Sequence, residues 1–341
     1  MSSIAAWAGD RDSAGLRRWL QIGLGVVWVF DAALQYQPYM FSRGFVTTIV
    51  DPASSGNPAA IANSVTGAGR ILLYDVVLFN AAFATIQLAV GLGLLWRPTV
   101  KAALAGTIAW GLAVWLLGEG LGGILTGNAS PLTGAPGAAV LYVLLAVLIW
   151  PRRAPLEGLT AQRRSAASGP GASVAAASPL GPRWSRLSWL LLWGSSAYFL
   201  LQAQVRAPGH LSSAIGSLAG GEPGWLASTD RGVANAVGSS GGVVSVVLAI
   251  TFLLVGLAVS IPAATRPALA LAIMSAAAIW VLTENLGGIF TGTGTDPNTG
   301  PLLILLAAAY WPPAPQRQET PETPPMSTVT GQPATFTPAG Q

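Results

Sequence analysis

Long apolar runs, interrupted by short polar clusters, dominate the chain. Runs of this kind suit helices that cross ~30 Å of hydrocarbon, which takes about 20 residues. The pattern predicts eight membrane helices, near residues 18–37, 71–96, 99–118, 136–150, 186–205, 242–261, 267–283 and 301–312. The fourth and eighth are short, and the Gly/Pro-containing loops ahead of them are expected to supply part of the crossing. The fold class is therefore all-α, a polytopic integral membrane protein. The first apolar stretch, Trp19 to Pro38, is too long for a signal-peptide core and lacks a small-residue cleavage site, so no cleavable signal is expected.

Two polar stretches carry too little apolar content to offset their ordering entropy. Residues 154–182, rich in Ala, Ser, Pro and Gly, are expected to form a flexible cytoplasmic linker. Residues 313–341, rich in Pro and Thr, are expected to form a disordered cytoplasmic tail. The loops at 38–70 and 206–241 are long, and Phe45 to Val50 and Leu211 to Leu218 are expected to rest on the bilayer as short amphipathic segments.

Charge sets the orientation. Alternating the loops puts thirteen of the seventeen Lys and Arg residues on the side that holds both termini; Arg43, Arg70, Arg206 and Arg231 fall on the other. By the positive-inside rule both termini are cytoplasmic and the membrane is the plasma membrane. This distribution, not nucleic-acid binding, accounts for the net charge of +4.

Composition narrows the chemistry. Only 9% of the 341 residues are charged, against roughly 25% in soluble domains. There is no cysteine and one histidine, His210. Disulfides, thiolate zinc sites, iron–sulfur clusters and bis-histidine haem are excluded within the chain. No metal site is predicted.

A repeat runs through the sequence at a constant offset of 165 residues. Arg18-Trp19 matches Arg183-Trp184, Trp28 matches Trp193, and Val90-Gly91-Leu92 matches Val255-Gly256-Leu257. Residues 115–127, WLLGEGLGGILTG, and 280–292, WVLTENLGGIFTG, agree at nine of thirteen positions. The chain thus divides into a four-helix unit at 1–153 and a second at 183–312. An even number of spans gives both units one orientation, with their relating axis along the membrane normal.

Within the repeat, Glu119 and Glu284 stand at the outer ends of apolar helices. An ionisable group at membrane depth costs about 3 kcal/mol at a helix centre. Each follows a tryptophan (Trp115, Trp280) by one turn and precedes Leu-Gly-Gly and Thr-Gly: Gly122, Gly123 and Thr126 in one copy, Gly287, Gly288 and Thr291 in the other. Two roles stay open. The carboxylates either bind a proton, cation or polar group, or accept hydrogen bonds from the Gly-Gly and Thr-Gly backbone and lock a turn. Asp31 lies within the first span and has no acidic twin, its equivalent being Ser196. It is expected to pair with Arg70 or Arg43, or to act as a functional carboxylate of the first unit.

Each unit resembles the DoxX/DoxD-like four-helix membrane proteins. The likeness is carried by a first span with a polar exit (Asp31, Gln35, Pro38) and by AVGLGLLWRPTVKAAL at 89–104, a glycine-rich second span leading through a basic turn into a third helix. The Glu-containing block is also similar to actinobacterial membrane proteins with a Gly/Ala-rich, lysine-poor composition. The DoxX/DoxD resemblance implies quinone-linked redox chemistry, with a quinone as diffusible cofactor and a partner protein holding the redox centre. It places no catalytic residue. A transporter with paired membrane carboxylates and a ligand-free assembly factor are the alternatives, and a homo-oligomer is open in each.

Overall fold

The computed structural model describes residues 2–151 and 172–313, with side chains from residue 14 onward. The described residues are helical and contain no strand. The first half holds α1 (Ser2–Gln35), α2 (Ala59–Leu72), α3 (Val76–Leu95), α4 (Val100–Leu117) and α5 (Ala138–Leu148). The second half holds α6 (Gly181–Leu200), α7 (His210–Leu218), α8 (Gly224–Val237), α9 (Gly241–Ala258), α10 (Pro262–Leu282) and α11 (Thr299–Tyr310).

Four stretches are long and apolar enough to cross a membrane: α3, 97–117 through α4, 224–258 through α9, and α10. At 1.5 Å per residue, the 11 residues of α5 span only about 17 Å, so α5 and α11 are the short apolar helices that the pattern predicts. Large apolar side chains face outward from the long helices, among them Leu78, Val247, Leu254 and Met274. Such a continuous apolar surface on several helices is that of a membrane protein.

Close backbone approach sets the packing. In α1 a Cβ at Gly25 would lie 3.0 Å from the Gly91 carbonyl oxygen of α3. In the second half, α9 crosses α6 at Gly256, beside Trp193 and Gly194. Aspartate 75 starts α3 by accepting a hydrogen bond from the Leu78 amide at 3.0 Å, as an N-cap should. Asparagine 80, wholly buried, ties α3 to α1 by donating to the Gln35 carbonyl at 2.9 Å, while the Gln35 amide donates back to its side chain. One aromatic and aliphatic core joins the two halves. Trp28 of α1 packs on Tyr142 of α5 with ring centroids 4.4 Å apart, and Trp189 of α6 packs on Tyr310 of α11 at 4.7 Å. Helices α5 and α11 touch each other at its centre.

Three expectations are corrected. The 38–70 segment folds down onto the protein: Met40, Phe45, Val46 and Val50 form a buried cluster with Val65 and Leu72 of α2. Leu211 and Ile215 of α7 likewise point into the main core. The end of the stretch read as a flexible linker is packed, with Val174 and Ala175 buried and the Ala175 amide donating to the Ala309 carbonyl at 2.9 Å. The rest of that stretch (154–171) and residues 314–341 of the tail lie outside the described residues.

Candidate functional site

The Leu-Gly-Gly blocks adopt the same turn in both halves. Leu121 and Gly122 have φ of 59° and 62°, and Leu286 and Gly287 have 55° and 77°. Leucine in the left-handed region is sterically disfavoured, so the surrounding packing must hold it there. A Cβ at Gly122 would fall 1.9 Å from the Pro136 carbonyl oxygen, and one at Gly287 would fall 2.5 Å from that of Asp296. Each turn is therefore pressed against the loop that leads into α5 or α11. Thr126 and Thr291 close the turns by donating to the Gly123 and Gly288 carbonyls, both at 2.7 Å. Trp115 donates through Nε1 to Pro136 at 2.8 Å, whereas the Trp280 indole N–H has no partner among the described residues.

The two glutamates have equivalent places. Glu119 Oε1 accepts from the Ala139 amide at 3.0 Å, in the first turn of α5. Glu284 accepts from the Gly300 amide at 3.0 Å and from the Thr299 hydroxyl, in the first turn of α11. The donors are thus the opening turns of the next helices, not the Gly-Gly backbone as the sequence suggested. A carboxylate there meets unpaired amides and the positive end of the helix dipole. Glu119 keeps its second oxygen, Oε2, buried and without a partner among the described residues.

Asp31 is 1% exposed. Its Oδ2 accepts from the Tyr142 hydroxyl at 2.5 Å, and its Oδ1 is buried without a partner among the described residues. The expected pairing with Arg70 or Arg43 is not what the fold provides. Tyrosine 142 takes that place because α5 packs against α1 at this depth. One signal of it is that Tyr142 is the lone hydroxyl in the apolar run of α5.

A fourth acid completes the constellation. Asp296, in the loop before α11, is held by the Asn298 amide at 2.7 Å and the Thr295 hydroxyl at 2.9 Å. Its charge acts on Asp31, Glu119 and Glu284 alike. Among the described residues no cation acts on these four carboxylates. Burial, reinforced by Asp296, pushes Glu119 up to about 8. Burial raises Glu284 to about 7, against the lowering effect of its Thr299 and Gly300 bonds. Asp296 is raised as well, by burial. With these shifts Glu119 and Glu284 titrate around neutral pH. No three His, Cys, Asp or Glu residues among those described converge on a metal position. Asp296 acts on the other three as a charge, and no chelate forms among the described residues.

A cavity of about 10 Å³, bordered by Pro136, Trp193, Thr299 and Leu303, lies beside this constellation. It holds no more than a water. His210 begins α7 and belongs to no group of three or more His, Cys, Asp or Glu residues that could hold a metal, among those described. Compared with family models, curated proteins and solved structures, the chain matches none.

Proposed function

We propose that the chain is a two-unit membrane permease in which Asp31, Glu119, Glu284 and Asp296 exchange protons at the junction of the halves. The eight spans in this reading are α1, α3, α4 and α5, then α6, α9, α10 and α11. The two units run parallel in the membrane with both termini cytoplasmic, as the distribution of basic residues supports. Helices α2, α7 and α8 and the two Gly-Gly turns then lie on the outer side. The observation that carries the reading is that Asp296 acts on acids of both halves, with no cation acting on them among the described residues. In a packed apolar protein such a group is costly unless it is protonated, and a proton-coupled carrier needs groups that titrate near working pH.

The quinone-linked redox role, with its quinone and partner protein, is the alternative implied by the DoxX/DoxD resemblance. Reconstitution separates the readings. Purified protein in vesicles loaded with a pH-sensitive dye should carry protons inward after an external acid pulse, and D31N should abolish that flux while the protein stays folded. Flux equal to that of empty vesicles, together with quinone in the extracted lipid, would replace this proposal with the redox one. No flux and no quinone would leave the glutamates as helix caps in an assembly factor.

A further inference from the structure

The outer parts of the two halves differ in one chemical respect. In the first half, Asn57 donates through Nδ2 to the Ala53 carbonyl at 2.9 Å. A Cβ on Gly120 would meet both groups, 2.2 Å from that carbonyl oxygen and 2.8 Å from Asn57 Nδ2. Positions 53, 57 and 120 therefore converge, and Val65 of α2 lies in the small apolar cluster of the same outer segment. At the 165-residue offset these positions are Leu218, Glu222, Asn285 and Asp230. The convergence recurs, because Asn285 Nδ2 donates to the Leu218 carbonyl at 3.1 Å. The chemistry has changed: an amide has become Glu222, and a buried valine has become Asp230.

None of the oxygens this change introduces is satisfied. Asp230 is 0% exposed and Asn285 is 4% exposed. Both carboxylate oxygens of Asp230, both of Glu222 and Oδ1 of Asn285 are buried without a hydrogen-bond partner among the described residues. The charge of Asp230 acts on Glu222, and the cation acting on Asp230 is its exposed neighbour Arg231. Leaving such groups bare in the interior is strongly unfavourable. All the free donors are oxygens, with no nitrogen or sulfur among them. That donor set suits a hard cation and disfavours the transition metals. We propose that Glu222, Asp230 and Asn285 bind a divalent cation of the Ca²⁺ class, with water completing its shell. Ca²⁺ is favoured over Mg²⁺ because it accepts irregular, oxygen-rich coordination and sheds water more readily. The site is specific to the second half, since the first offers one amide, a valine and a glycine there. It is independent of the proton-exchanging constellation.

Full-length protein in detergent, stripped with EDTA and titrated with CaCl₂ by calorimetry, tests this. Saturable binding of one Ca²⁺ per chain is expected, together with a rise in thermal midpoint that MgCl₂ does not match. D230V and E222N, which restore the residues of the first half, should each weaken Ca²⁺ binding by roughly tenfold or more, since even outer-shell changes cost that much. Should D230V fail to fold, E222Q carries the same expectation. E119Q should bind Ca²⁺ normally, which separates this site from the proton site. The proposal is overturned by no saturable binding, by tighter binding of Mg²⁺, or by undiminished binding in the folded variants. It is equally overturned if E222Q and D230N raise the midpoint with no response to cations, because the two acids are then neutral partners of each other.

Discussion

Glu119 and Glu284 make the same contact in two settings, and the difference between the settings is testable. Glu284 has both oxygens satisfied, by Thr299 and Gly300, whereas Glu119 holds one bond and one bare oxygen. E284Q exchanges a charge-capable acceptor for an amide whose N–H₂ must face either the Gly300 amide or the Thr299 hydroxyl, which then has to turn and accept. It should therefore lower the thermal midpoint more than E119Q, whose new N–H₂ can take the unpartnered side. The pH dependence follows from the direction of the shifts. Both acids bind protons more tightly folded than unfolded, so the native state carries more protons from about pH 4.5 up to about 8 for Glu119 and about 7 for Glu284. Stability must fall as pH rises through those intervals and level off above them. Thermal melts across this range should show the decline, and E119Q should flatten its upper part. A midpoint that rises with pH across the interval would contradict the assignment.

The turns are the elements whose sequence speaks most directly. Nine identities in thirteen residues predict one shared conformation, and both copies adopt the same left-handed Leu-Gly pair. Here Gly122→Ala and Gly287→Ala should cripple folded yield, because the added methyl meets backbone carbonyl oxygen that cannot move aside. Gly123→Ala should be milder. Its added methyl would meet the Thr126 side chain at 3.7 Å, an ordinary contact, and faces only the left-handed φ, a cost of roughly 1–2 kcal/mol. Equal yields for all three variants would refute the packing described. The long helices were legible for a plain reason: α3, α4, α9 and α10 are apolar all round, and period and length then agree. Helices α2 and α8 were not legible. Their sequences, AAIANSVTGAGRIL and GWLASTDRGVANAV, carry Gly, Ser, Thr and Asn, residues of middling to poor helix propensity. Contacts from elsewhere in the chain stabilise them, such as Val65 in its buried cluster and Leu226 in a wholly buried position. Local sequence does not report such contacts.

At the scale of the whole molecule, the candidate site was half legible. Asp31, Glu119 and Glu284 stood out as acids in apolar surroundings. What joins them, Tyr142 and Asp296, is set by the docking of α5 on α1 and of the loop before α11 on both halves, contacts between residues more than a hundred positions apart. The proposed topology has its own check. Cysteines placed singly at Ser55 and Ser228, both in the outer segments, should react with an impermeant thiol reagent in intact cells, and a cysteine at Ser168 should not; the reverse pattern would invert the orientation. The central claim is that carboxylates from the two halves share one electrostatic site that holds protons at neutral pH. Infrared difference spectroscopy, following the protonated carboxyl band as pH is raised, addresses it directly. Protonated carboxyl groups should titrate near pH 7 and pH 8, and D296N, in the second half, should lower the Glu119 midpoint in the first. Absence of any such band above about pH 6, beyond the ordinary carboxyl range, or an unchanged Glu119 midpoint in D296N, would contradict it.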